Sequence, residues 1–430
     1  MKIYYQVYIY NHKMNALIIG FGSIGRALCT LKLPFKSLVV IDKLDLTDLI
    51  TKFFKDKSAI GSDNIASIKF VNLKLAATNL DVLKEILVSN KINIMVDCSY
   101  NVDTLDLIKI LPANVAYINT SVEDWEENDI SIITTLKQRQ DEIKEWYHKN
   151  KPQNNILLDC GMNPGLISLW AYDCCAKFKF DLNDVAQCIV SEVDTQRVMV
   201  PRKEKEFVSS WSPDGFMEEV HSPIEGYSLG KYFTDQNHTA YRTISKSLRP
   251  SSEQFYGYTV RHAETITMHR LFPNATLMYI YKCPDEAVSS LFEYQIPKPI
   301  VSKRIFYSPE IIDGKDELGV LISDNSRLVW YGSLLSNDDI KNYPLGQYLN
   351  ATSYQVACGL WIGINTLEFY QKEKVSKLMS PEDIIDCHLF EDCLETVSEY
   401  LKMHTIEFVN NELVDEFIKN KSFEEHYLKN

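Results

Sequence analysis

The sequence predicts an α/β protein: a Rossmann-type doubly wound parallel sheet, a second α/β domain with a mixed sheet, and a C-terminal helical segment. Three observations carry that expectation. Short apolar runs alternate with amphipathic stretches through the first 160 residues, and a glycine-rich turn follows the first run directly. The texture then changes to short β-rich segments, and after Leu345 to a helical pattern. Strands that alternate with helices are the signature of parallel βαβ units.

Taken in order, Asn15 to Ile19 is an apolar run that ends in glycines, with helix-compatible residues from Gly25. Leu38 to Ile41 is the second run, closed by Asp42, and Ile92 to Val96, Val115 to Ile118 and Asn155 to Leu158 follow. Each is continuous rather than alternating, as expected of strands buried on both faces. Asn79 to Val88 and Val102 to Ile110 are amphipathic and read as crossover helices. In the second region Val185 to Val193, Tyr256 to Met268, Ala275 to Tyr281, Leu318 to Leu321 and Arg327 to Tyr331 read as β-rich. Thr352 to Tyr370 then reads as an apolar helix. Ser380-Pro381-Glu382-Asp383 reads as a helix start, with a cap, a proline in the first turn and an acid behind it. The expected division is 1–160 for the dinucleotide domain, completed by the helix near 351–370, then 161–345 for the catalytic domain and 346–430 for the C-terminal helices. The Tyr-rich residues before Met14 fit either an extra edge strand or a start placed upstream of the true one.

Composition bounds the function. The 430 residues are 45% apolar and 24% charged, the balance of a globular chain with a large core. Gly (16) and Pro (15) are too sparse for collagen-like or linker-rich architectures. With 45 basic against 58 acidic residues the net charge is −13, which argues against a nucleic-acid partner. Part of that charge is a tail: Gln371 to Asn430 holds 14 acids and 7 bases. Ten scattered cysteines without a Cys-x-x-Cys pair fit a reducing, cytoplasmic setting. No 18-residue apolar run predicts a membrane span, and Met1 to His12 lacks the apolar core and small-residue cleavage site of a signal peptide.

Gly20-Phe21-Gly22-Ser23-Ile24-Gly25 is a G-x-G-x-x-G between a strand and a helix. The first glycine permits the tight turn and the second lets backbone approach a pyrophosphate. The third allows close helix–strand packing, and the helix N-terminus attracts the phosphate charge. Asp42, ending the next strand, suits adenosine ribose hydroxyls and repels a 2′-phosphate, so NAD is the expected cofactor rather than NADP. Polar groups also close three later strands, at Asp97-Cys98-Ser99, Asn119-Thr120-Ser121 and Asp159-Cys160-Gly161-Met162-Asn163-Pro164-Gly165. In the second region Glu192 follows an apolar strand, and Trp211 lies in a loop ahead of Glu218 and Glu219. His262 and Glu264 flank Ala263 in a β-like stretch, which predicts that they share one face of a sheet. Taken singly, each of these groups also fits ordinary turn or core chemistry. Converging on one pocket, they would suit a compact dication, with carboxylates for its ammonium groups and an indole for cation–π contact. A histidine would move protons. No close metal-ligand spacing occurs, so no metal is expected.

On these residues the chain resembles the bacterial homospermidine synthases, relatives of saccharopine dehydrogenase and carboxynorspermidine synthase, from about Met14 to the helix near Gly363. The fingerprint at 20–25, Tyr117-Ile118-Asn119-Thr120-Ser121-Val122-Glu123-Asp124-Trp125 and Gly161-Met162-Asn163-Pro164-Gly165 are shared marks. Narrower ones are Trp211-Ser212-x-Asp214-Gly215-Phe216-x-x-Glu219, His262-x-Glu264 and Asn350-Ala351-Thr352-Ser353-x-Gln355-Val356. The resemblance implies that two putrescines condense to homospermidine with release of ammonia, NAD being reduced and reoxidised within one cycle. It implies that Gly20, Gly22, Ser23, Ile24, Gly25, Asp42, Ser99 and Thr120 hold the cofactor. Trp211 would stack on the cationic intermediate and Glu192, Glu219 and Glu264 would hold its ammonium groups. His262 would assist proton transfer, and Asn163 would stand between cofactor and substrate. Asp97 and Glu123 would contact substrate from the cofactor side, with Glu218 and Glu219 able to exchange roles. A homodimer through the second domain is also implied.

Two other readings compete. One is a net reductase of the carboxynorspermidine or saccharopine type, which needs an Arg or Lys for a substrate carboxylate; Arg197, Arg202 and Arg261 are candidates. The other is a non-catalytic NAD-binding regulator, which predicts a pocket missing some of the acids.

Overall fold

The first sheet is parallel throughout. In this computed structural model, which describes residues 14–55, 65–100, 102–125, 134–239, 243–294, 302–305, 311–324, 326–408 and 417–418, six of its strands come from the N-terminal region. They are β1 (Met14–Ile19), β2 (Phe35–Asp42), β3 (Ser67–Asn72), β4 (Ile94–Asp97), β5 (Ala116–Asn119) and β6 (Ile156–Leu157). Their order is β3-β2-β1-β4-β5-β6, with Leu378–Met379 added beside β6. The order reverses between β1 and β4, and that crevice is where such sheets receive ligands. β3 is absent from the sequence reading because it is an edge strand of half-exposed, alternating residues rather than an apolar run. The residues before Met14 and those beyond Ile418 lie outside the described ones.

The second sheet is mixed and, among the described residues, has ten strands. Its centre is β7 (Gln187–Asp194), parallel to the Thr276–Lys282 strand and antiparallel to Asp316–Ser323. The rest of the sheet is antiparallel, including the Pro223–Ser228/Lys231–Thr239 hairpin that hangs off Thr276–Lys282. The expected β-like stretch Tyr256 to Met268 divides. Its strand is Gln254–Val260, and a short helix, Glu264–Thr267, follows a turn. His262 and Glu264 therefore do not alternate along a strand; the sheet-face expectation is corrected.

Past Leu345 the apolar helix runs Ala351–Lys372, capped by Asn350 with Ser353 in a capping box. It crosses the first sheet so closely that a Cβ on Gly359 would stand 1.7 Å from the Gly161 carbonyl oxygen. Among the described residues three strands are embedded in this largely helical segment, one of them Phe417–Ile418 beside Ile244–Leu248 of the second sheet. Leu378–Met379 joins the first sheet, and Met403–Phe408 extends the second beside Leu328–Ser333. The C-terminal region thus ties both sheets together. Among the described residues no helix is long and apolar enough to cross a membrane.

Candidate active site

The carboxyl ends of β1, β2, β4, β5 and β6 face the second sheet across a cavity of about 520 Å³. On the first side stand the glycines. Gly20 has φ +87°, a region L side chains rarely adopt, and a Cβ on Gly25 would lie 2.3 Å from the Gly20 carbonyl oxygen. The Ser23–Thr30 helix therefore starts directly against the turn. Gly22 is its N-cap and offers no side-chain cap, and a Cβ there would meet nothing within 4 Å. Open space over uncapped helix amides is the cradle a pyrophosphate needs. Asp42 ends β2 on the same wall and accepts from the Phe21 N–H (2.8 Å) and the Leu44 N–H (2.9 Å), which ties the acid to the turn. Ile24, Ser99 and Thr120 also line the cavity, so all eight expected cofactor residues do. A nicotinamide dinucleotide fits these residues.

Opposite stands an acidic, aromatic wall. Glu192, at the end of β7, accepts at Oε2 from Asn163 Nδ2 (2.8 Å) and from the Tyr279 hydroxyl (2.5 Å). Burial, with Asp194 nearby, pushes its carboxyl up to about 8 against the pull of these donors. His262 is held at both nitrogens, Nδ1 by Glu264 Oε2 (2.7 Å) and Nε2 by Glu219 Oε1 (3.1 Å). Burial alone would drive the imidazole down, but Glu264 and Glu219 together keep it well above its ordinary range. Burial raises Glu219 despite that partner. Trp211 lines the cavity half-buried, its indole Nε1–H donating to the Tyr281 hydroxyl (3.2 Å) and its ring 5.9 Å from Phe216.

Two expected contacts are corrected. Glu264 is 0% exposed behind His262, so the carboxylate expected to hold an ammonium group has no face on the cavity. The short helix it opens turns it inward. Asp97 is likewise covered. One oxygen takes both the N–H (3.0 Å) and the hydroxyl (2.5 Å) of Ser99, and the other takes the Tyr117 hydroxyl (2.9 Å). It orients Ser99 and does not line the cavity. Asn163, Glu192, Trp211, Glu219, His262 and Glu123 do converge. Burial, with Glu218 beside it, drives Glu123 well above the usual carboxylate range.

Glu218 and Glu219 differ in their neighbours. Both are on the Pro213–His221 helix, but Glu219 meets His262, whereas Glu218 bonds Arg261 (2.8 Å), Arg139 (3.1 Å) and the Tyr100 hydroxyl (3.0 Å). Burial would raise Glu218; the two guanidiniums hold it below its ordinary value. Arg139 sits on the Leu136–Asn150 helix, whose first amides, of Leu136 and Lys137, both donate to buried Glu225 of the second sheet (2.9 Å each). The two sides of the cavity are therefore clasped together. Sequence reading missed Tyr279, Tyr281, Arg139 and Tyr100, and gave no individual role to Asp159. The last is a cavity-lining acid at φ +58° that burial pushes up to about 6. Only the Tyr279-x-Tyr281 spacing, two positions on one strand face, offered a signal. Among the described residues no group of three or more His, Cys, Asp or Glu is placed to hold a metal ion.

No family model matches the chain. The homospermidine synthases of Blastochloris viridis and Mesorhizobium japonicum are each 26% identical to it, over 90% of this chain and 89% and 88% of theirs. The crystal structure of the homospermidine synthase of Legionella pneumophila in complex with NAD is similar with a TM-score of 0.73 at 23% identity. It covers 95% of this chain and 94% of that one. The apo saccharopine dehydrogenase (L-Glu forming) of Saccharomyces cerevisiae follows at TM-score 0.57 and 10% identity, over 92% of this chain and all of that one. The resemblance seen in the sequence and its saccharopine dehydrogenase-like fold are borne out.

Proposed function

We propose that this chain is an NAD-dependent homospermidine synthase, an aminobutyl transferase that condenses two putrescines with release of ammonia. One observation carries the reading: a dinucleotide cradle, the carboxylates of Glu192 and Glu219, the His262 imidazole and the Trp211 indole line one cavity. The chemistry a bound NAD supplies is reversible acceptance of a hydride, so that amine oxidation and imine reduction balance within one turnover. The chain's own residues do the rest. Glu192 and Glu219 take the ammonium ends of the diamine, and the Trp211 face attracts the cation between them by about 0.5–2 kcal/mol. With both nitrogens tied, His262 exchanges protons with the guest through Glu219, while Glu264 behind it keeps the imidazole charged and oriented. Asn163 steadies Glu192 from the cofactor side. The Glu218 clasp keeps the two walls together, excluding water that would hydrolyse an imine.

The net-reductase reading is less well supported. Arg261 lines the cavity, but its guanidinium is engaged by Glu218 and the Thr134 carbonyl (3.0 Å), and Trp211 lines the cavity with it. Arg197 pairs with Asp313 away from the cavity. A regulator without turnover would not need the full set of acids. A homodimer through the second sheet and a cytoplasmic location complete the proposal, as does a division of the chain at about 160 and 345.

The test is direct. With putrescine and a catalytic amount of NAD, homospermidine and ammonia should form in equal amounts without accumulating NADH. Stoichiometric consumption of NAD(P)H with an amine and a carbonyl acid, or silence in both assays, would overturn the assignment.

A further inference from the structure

Tyr279 and Tyr281 lie two apart on the Thr276–Lys282 strand, so both side chains leave the same face of the sheet. That strand is parallel to β7, with Tyr281 opposite Glu192. The two rings stack at 5.8 Å and 15°. Tyr279 then reaches two members of the acid–base set at once: its hydroxyl bonds Glu192 at 2.5 Å and its ring lies 4.7 Å from the His262 imidazole. Tyr281 carries the indole of Trp211 on its hydroxyl. One strand therefore supports the carboxylate, the imidazole and the indole.

We propose that Tyr279 is a positioning residue for this site, holding Glu192 through its hydroxyl and His262 through its ring, with Tyr281 doing the same for Trp211. The inference rests on the homospermidine synthase reading and deepens it. The physical case is orientation. Glu192 Oε2 is occupied by both Tyr279 and Asn163, which fixes the carboxyl plane from that one oxygen. Other groups surround the same carboxyl. Asp194 on its own strand opposes its ionisation and His262 favours it, while Asp316 on the neighbouring strand shares a hydrogen bond with it and is itself raised well above the usual carboxylate range by burial and by Glu192. Tyr279 donates to the ionised form and so works with His262. Deleting the hydroxyl should make Glu192 hold its proton to higher pH.

Tyr279→Phe tests this. The stretching band of the protonated Glu192 carboxyl, identified by its loss in Glu192→Gln, should titrate about one pH unit higher in Tyr279→Phe. In Tyr281→Phe the band should titrate as in the wild type, because Tyr281 donates nothing to Glu192. Ortho-fluorotyrosine at position 279, a stronger donor of the same shape, should move the midpoint the other way, and it keeps the test open if the phenylalanine variant fails to fold. The acid limb of the homospermidine pH profile should follow the band, with kcat falling more than KM rises. An unchanged midpoint in Tyr279→Phe, or an equal shift in Tyr281→Phe, would overturn the proposal. Because the infrared titration needs no turnover, a wild-type enzyme that makes no homospermidine would sink the functional reading alone.

Discussion

Replacing Trp211 by alanine probes the cation–π wall most directly. A cation over a desolvated indole is worth about 2 kcal/mol, which at about 1.36 kcal/mol per decade is roughly a 30-fold loss in rate if that contact tightens in the transition state. The Trp211 ring packs on Phe216 and crowds Gly215, where a Cβ would lie 2.8 Å from it, so truncation also loosens the lip of the cavity. Because the indole is only half-buried, the stability cost should be about 1–2 kcal/mol, below that of a fully buried tryptophan. The glycine turn is on the opposite wall and NAD affinity should hold. Trp211→Phe keeps a π face but loses the bond to Tyr281 and should fall between wild type and alanine. Homospermidine formation, free NADH during turnover and NAD binding by calorimetry make up the assay. A Trp211→Ala enzyme within about two-fold of wild type would show that the indole contributes no such attraction.

Three further perturbations address the rest of the site. Gly25→Ala places a methyl 2.3 Å from the Gly20 carbonyl oxygen, backbone that cannot yield, so NAD affinity measured by calorimetry should drop at least about tenfold. Glu264→Gln removes a buried charge from His262 and should cost about 1.5–3 kcal/mol in denaturant unfolding. Since the folded imidazole is held above its unfolded value, that difference should be full below about pH 6.5 and vanish as pH rises through the folded value. A difference that widens toward alkaline pH would contradict the pairing. Glu218→Gln leaves Arg261, 3% exposed, without its carboxylate, and should lower stability by about 1–2 kcal/mol. Because the clasp spans both walls, this variant should also release NADH during turnover, seen as free cofactor fluorescence.

The sequence alone determined the first sheet and its cradle, because those features are local. Continuous apolar runs at β1, β2, β4 and β5 report burial on both faces, and Gly20 and Gly25 report a turn with no room for a Cβ, with Gly22 leaving open space beside it. The resemblance added the names of the acids, and most of them do meet. Tertiary structure decided how they meet. His262 and Glu264 touch through a turn into a short helix, which no alternation pattern encodes, and that turn buries Glu264 out of a guest's reach. Glu218 and Glu219 are chemically alike neighbours, separated only because one helix points its successive residues at an arginine pair and at an imidazole. Tyr279, Arg139 and Glu225 were silent for the same reason. Their partners lie 87, 79 and 88 positions away, so their meaning resides in contacts between strands and helices that residue order does not bring together.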